Sequence, residues 1–222
     1  MDTKLETIEV ETGKKDPSAT VIWMHGLGAD GHDFEPIVAE LRLPASLPVR
    51  FIFPHAPIRR VTLNNGMAMR AWYDILEMGG GREDGEGLRL SQEAIEALIA
   101  QEEARGIDAS RIVLAGFSQG GAITFQAGLR HPKRLAGLMA LSTYLPLAGT
   151  VEDERHEANR EVPIFMAHGT GDPMIAIGRA QQSRKMLEAL GYAIEWHEYP
   201  MPHSVCPQEI EDIANWLTRI LK

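Results

Sequence analysis

Apolar residues along this chain follow two rhythms. Continuous runs without alternation occur at Thr20–Met24, Val49–Phe53, Arg111–Phe117, Leu135–Leu141, Val162–Ala167 and Ala193–Tyr199. Such runs fit central strands of a parallel sheet covered on both faces. Leu5 to Val10 alternates instead, as an edge strand does. Helical spacing appears between the runs. Ile95, Leu98 and Ile99 form one stripe, with Gly106 placed to end that helix, and Pro132 is placed to stop another that begins near residue 118. Ile210, Ile213, Ala214, Leu217, Ile220 and Leu221 mark a final amphipathic helix. Strand and helix alternating in this way predict a doubly wound three-layer α/β fold, with its ligand site beyond the carboxyl ends of the strands. Pro54–Gly87 shows no clear element and Thr143–Glu161 is polar and highly charged. Both leave strand carboxyl ends, so both are expected to overhang that site.

Composition narrows the function classes. A chain of 222 residues with 44% hydrophobic and 24% charged residues fits one domain spanning 1–222, with a substantial core. The formal charge of −9 comes without a basic patch, which argues against nucleic acid and against electrostatic docking on anionic lipid. One cysteine, Cys206, excludes an intramolecular disulfide. The first residues lack a secretory layout, no apolar run approaches the roughly 20 residues that span a bilayer, and no lipidation motif is present. The expectation is a cytoplasmic protein without stable membrane association.

The chemistry enters at Gly116-Phe117-Ser118-Gln119-Gly120-Gly121, between the run ending at Phe117 and a helical segment. A Gly-x-Ser-x-Gly turn in that position holds a serine hydroxyl out on a sharp bend. A serine nucleophile needs a histidine to take its proton and a carboxylate to orient the imidazole. Of the five histidines after Ser118, only His203 lies in a loop directly after the last strand, where it can reach over the sheet. For the acid, Asp172 follows the Val162–Ala167 run in a glycine-rich turn, whereas Asp153 lies in a charge run and Asp212 follows His203. Singly, Asp172 reads as a turn residue and His203 as a loop histidine. Together they complete a Ser–acid–His order at three strand ends. An oxyanion hole needs two backbone N–H groups. Gln119, at a helix N-terminus, supplies one, and Leu27 in Trp23-Met24-His25-Gly26-Leu27-Gly28 is the candidate for the second.

With those residues the chain resembles the phospholipase/carboxylesterase family of small α/β-hydrolases. The resemblance is carried by His25–Asp30, Phe53–Pro57, Ala71–Asp74, Ala115–Gly121, His168-Gly169 with Asp172, and His203-Ser204. It implies an α/β-hydrolase fold with a mostly parallel central sheet of about seven strands. It also implies catalytic Ser118, Asp172 and His203, oxyanion donors at Leu27 and Gln119, and Trp72 beside the acyl pocket. Two departures, Pro173-Met174-Ile175 after the acid and Thr143 where the family often has glycine, touch loops around the site. Met67, Met69, Trp72, Leu76 and Met78 are expected to supply an adaptable apolar acyl groove, with a small satellite core as the equal alternative.

The expected activity is hydrolysis of small-molecule carboxylic esters or thioesters of short to medium acyl chains, without metal or cofactor. Longer-chain acyl-protein thioesterase or lysophospholipase activity is the alternative. A serine peptidase and an inactive hydrolase-fold binding protein are weaker readings. The resemblance also admits a homodimer, although no interface patch is legible.

Overall fold

The computed structural model describes residues 5–77 and 81–222. Its centre is a seven-stranded sheet. β1 (Thr7–Glu11) runs antiparallel to β3 (Val49–Pro54), and β2 (Ala19–Met24) lies parallel between β3 and β6 (Ile112–Phe117). β7 (Gly137–Leu141), β8 (Ile164–Gly169) and β9 (Ile194–Tyr199) extend the parallel set, giving the order β1-β3-β2-β6-β7-β8-β9. β2, β3, β7 and β8 are buried along their whole length, which explains their unbroken apolar runs. β1 alternates because only one of its faces is covered: Ile8 and Val10 pack against the core while Glu9 and Glu11 are exposed.

Two layers of side chains cover the sheet. On one face, α2 (Gly85–Ala104) and α3 (Gln119–Gly128) bury Ile95, Leu98, Ile99, Ile123 and Phe125 against Ile22, Leu114 and Leu138. On the other, α1 (Ile37–Leu41) and α6 (Pro207–Ile220) bury Val38, Leu41, Ile213, Trp216 and Leu217 against Val21, Val113 and Phe165. The Asp84 carboxylate caps α2 by accepting the Gly87 N–H at 2.9 Å, and the helix stops just before Gly106 at φ 94°. α3 ends earlier than Pro132 requires, because the Leu129 and Arg130 amides bond back to Phe125 and Ala127 in a closing turn. α4 (Val151–Glu154) and α5 (Ile177–Ala189) complete the set. None of the described helices is long and apolar enough to cross a membrane.

Pro54–Gly87 is not featureless. Within it, β4 (Ile58–Val61) pairs antiparallel with β5 (Met67–Arg70) around Asn65 and Gly66, which both have positive φ. The polar Thr143–Glu161 stretch likewise holds α4 and short 3-10 turns.

Candidate active site

Ser118 joins β6 to α3 with φ 55° and ψ −119°, a strained conformation for a residue bearing a Cβ. The surroundings hold it there. Its N–H donates to Leu141 O at 2.9 Å, and its carbonyl accepts from the Thr143 hydroxyl at 2.7 Å and the Ala122 amide at 3.2 Å. Glycine is required on both sides. A Cβ on Gly116 would lie 2.2 Å from the Gly120 carbonyl, and one on Gly120 would lie 2.2 Å from Met24 O.

The acid and the histidine leave neighbouring strands. Thr170 N–H bonds Tyr199 O at 2.8 Å and Gly171 N–H bonds Met201 O at 3.1 Å, drawing the two loops together beyond β8 and β9. Asp172 is buried and its carboxylate is fully engaged. One oxygen accepts the Met174 and Ile175 amides at 2.8 and 2.9 Å, and the other meets His203 Nδ1 at 2.6 Å. Burial pushes the Asp172 carboxyl pKa up. The bonds from His203 and the two amides outweigh that push and hold it below the ordinary carboxylate range. His203 packs its ring 4.7 Å from that of Phe117. Ser118 and His203 border the same cavity, of about 400 Å³. No direct hydrogen bond joins them among the described residues, and such contacts often tighten only once substrate is bound.

His168 lies beneath the acid, with no solvent exposure. Its Nε2 is 2.8 Å from Ile175 O and 3.4 Å from Asp172 Oδ2, and burial lowers its pKa, favouring the neutral ring that donates Nε2–H to the Ile175 carbonyl. It therefore braces the turn whose amides hold Asp172.

Leu27 and Gln119 also border the cavity. Gln119 heads α3, so its N–H is one of the donors a helix leaves free at its start. Neither amide donates to another protein group among the described residues, so both remain available for an anionic oxygen. The loop bearing Leu27 is held by the neutral His25 ring, whose Nδ1–H donates to Gly26 O at 2.7 Å while Nε2 accepts the Ala56 amide at 3.0 Å. The Gln119 side chain has a separate job. Its oxygen accepts Trp72 N–H at 2.8 Å and its nitrogen donates to Tyr73 O at 2.7 Å, stapling that segment to the serine turn.

Two residues lie elsewhere than the sequence implies. Trp72 does not border the cavity: it is fully buried, and its indole N–H donates to His25 O at 2.9 Å. It is core beneath the Leu27 loop, and the neighbouring Tyr73 reaches the cavity instead. Met69 is also off the cavity wall, and its sulfur accepts from Asn64 Nδ2 at 3.2 Å, with Asn64 taking the lining position. Of the expected groove residues, Leu76 borders the cavity, Met67 is 65% exposed, and Met78 lies outside the described residues. The apolar wall is supplied by Leu27, Leu63, Ile75, Leu76, Met174 and Ile175. Tyr144 and Arg179 border the cavity too, and nothing in the spacing of the chain singled them out.

Known proteins agree with this architecture. Acyl-protein thioesterase 1 of Gibberella zeae is 41% identical over 214 residues, covering 92% of this chain and 91% of that protein. The protein of the same name in Neurospora crassa is 42% identical, covering 92% of this chain and 87% of its own. Arabidopsis thaliana SOBER1 superposes with a TM-score of 0.87 at 33% identity, over 92% of this chain and 99% of that one. Zea mays acyl-protein thioesterase 2 superposes at 0.86 with 28% identity, over 98% and 99%. The Phospholipase/Carboxylesterase family profile matches residues 5–221. This chain belongs to the phospholipase/carboxylesterase family of α/β-hydrolases, and it is a hydrolase of ester or thioester bonds.

Proposed function

We propose that this protein hydrolyses carboxylic esters and thioesters of short to medium acyl groups through an acyl-enzyme on Ser118. The observation that carries the reading is the 2.6 Å contact between His203 Nδ1 and the Asp172 carboxylate, on the cavity that Ser118 borders. Asp172 fixes the proton on Nδ1, which leaves Nε2 as the base. His203 takes the Ser118 proton as the oxygen attacks the acyl carbonyl, and the Leu27 and Gln119 amides hold the oxyanion. The imidazolium then protonates the leaving alcohol or thiol. Water repeats the sequence on the acyl-enzyme, releasing the acid and restoring Ser118.

A cavity of about 400 Å³ lies toward the small end of ligand sites, which span about 300–1,000 Å³, and favours short and medium acyl groups. Longer-chain acyl-protein thioesterase activity is the second reading, favoured by the names of relatives 41 and 42% identical to this chain. Rates on 4-nitrophenyl esters from acetyl to palmitoyl, alongside the matching thioesters, separate the two. A fluorophosphonate probe should label Ser118 stoichiometrically, and Ser118→Ala should lower kcat on the order of a million-fold. Near wild-type turnover in Ser118→Ala would refute the proposal.

A further inference from the structure

We infer that Arg179 forms a subsite for an anionic group, a carboxylate or a phosphate, carried by the ester substrate. The inference rests on the serine-esterase reading above and names the substrate class. With 31 acidic residues against 22 basic ones, the chain has carboxylates to spare. Arg50, Arg89, Arg105, Arg130, Arg184 and Arg219 each pair with one. Arg179 is half-buried on the cavity wall that Ser118 and His203 share. Yet it has no carboxylate within 4.0 Å, and its guanidinium N–H groups donate to no protein acceptor, among the described residues.

Its geometry suits capture of an anion. The guanidinium carbon lies 3.3 Å from the centre of the Tyr144 ring, so stacking fixes the plane and leaves the donors along its edge free. Tyr144 is fixed in turn by the Tyr73 hydroxyl at 2.8 Å. Only one proton can bridge those two oxygens, so the pair keeps one further O–H to donate, and both rings border the same cavity. Burial, followed by the neighbouring Tyr144, pushes the Tyr73 pKa well up, so that phenol stays protonated. Arg179 also stands in the first turn of the 13-residue α5, whose start has no side-chain cap, and the helix dipole there adds the same sign of potential. Arg82, exposed on the cavity wall, adds a second cation.

Four acids share the wall: Asp33, Asp74, Glu77 and Glu83. Asp74 is engaged by the Thr62 amide and hydroxyl at 2.7 and 2.6 Å. Glu83 accepts the Leu147 amide at 3.0 Å; burial raises its pKa, and Arg179 attracts its carboxylate only from beyond 4.0 Å. They leave Arg179 as the half-buried position on the wall where an anion gains a charge-assisted, two-pronged bond.

Three esters test this: neutral 4-nitrophenyl butyrate, mono-4-nitrophenyl glutarate with its carboxylate on the acyl side, and butyryl glycerol 3-phosphate with its anion on the alcohol side. R179Q should lower the kcat/KM ratio of at least one charged ester to the neutral one by about tenfold or more, mainly through KM, and R179K should restore part of it. The arm that falls identifies which side of the ester carries the anion. If R179Q leaves both ratios within about twofold of wild type, the subsite does not exist. A wild-type protein that cleaves none of the three esters would overturn the esterase reading itself.

Discussion

Replacing Asp172 by asparagine changes one atom and should remove nearly all activity while leaving the fold in place. One carboxylate oxygen sits between the Met174 and Ile175 amides at 2.8 and 2.9 Å, a position that only an acceptor can fill. The asparagine carbonyl must therefore occupy it, and its NH₂ is forced into the place now 2.6 Å from His203 Nδ1. A donor facing Nδ1 turns that nitrogen into an acceptor and moves the ring proton to Nε2. The imidazole then has no lone pair free to take the serine proton. In a serine protease the corresponding swap costs about 10⁴ in kcat, which at 1.36 kcal/mol per decade is about 5.5 kcal/mol of barrier. The same loss is expected here in kcat for 4-nitrophenyl butyrate. The melting temperature should stay near wild type, since both amide bonds survive. Activity within tenfold of wild type in a folded Asp172→Asn protein would refute the tautomer argument and remove Asp172 from the site.

Glu209 gives a pH test away from the cavity. It is fully buried in the first turn of α6, and burial, opposed by a bond from the Cys206 amide, pushes its pKa up to about 8. The folded state thus binds the proton more tightly than the unfolded chain. The stability it contributes is complete below the unfolded value near 4.5 and is lost as pH rises through about 8. Glu209→Gln should flatten that decline: its urea-denaturation stability relative to wild type should rise from pH 5 to pH 8 by a few kcal/mol, roughly. A constant difference would contradict this. Gln119→Leu keeps the backbone N–H of residue 119 but strands the Trp72 amide and the Tyr73 carbonyl. At about 1–3 kcal/mol for each unsatisfied buried group, a loss of about 2–6 kcal/mol is expected in denaturant titration. An unchanged midpoint would show that the segment is held by other contacts.

The parallel strands were legible because burial on both faces leaves an unbroken apolar run, and β2, β3, β6, β7 and β8 are of that kind. The positions of Ser118, Asp172 and His203 could be read from chain order, because each follows the carboxyl end of a strand. Beyond Leu27, Gln119 and Leu76, few pocket-wall identities were legible. Trp72 and Tyr73 are adjacent, and bonds from residues distant in sequence, Gln119, His25, Ser91 and Tyr144, hold the one in the core and the other at the cavity. Arg179 is invisible for a related reason, since its partner Tyr144 is 35 residues away and no local pattern links a helix start to a loop after β7. The β4–β5 hairpin escaped because its strands are four residues each with half their positions exposed, so neither a buried run nor a regular alternation marks them. Asn65-Gly66, with positive φ at both residues, was the one available cue.

The loops after β8 and β9 are joined by only a few backbone bonds, Thr170 to Tyr199 and Gly171 to Met201 among them. Those bonds can form only after two parallel strands separated by a whole helix have aligned, which is a slow class of event in folding. Recovery of ester turnover during refolding should consequently trail the return of helical circular dichroism. The enzyme's own catalysis would then serve as a clock for the last stage of its assembly.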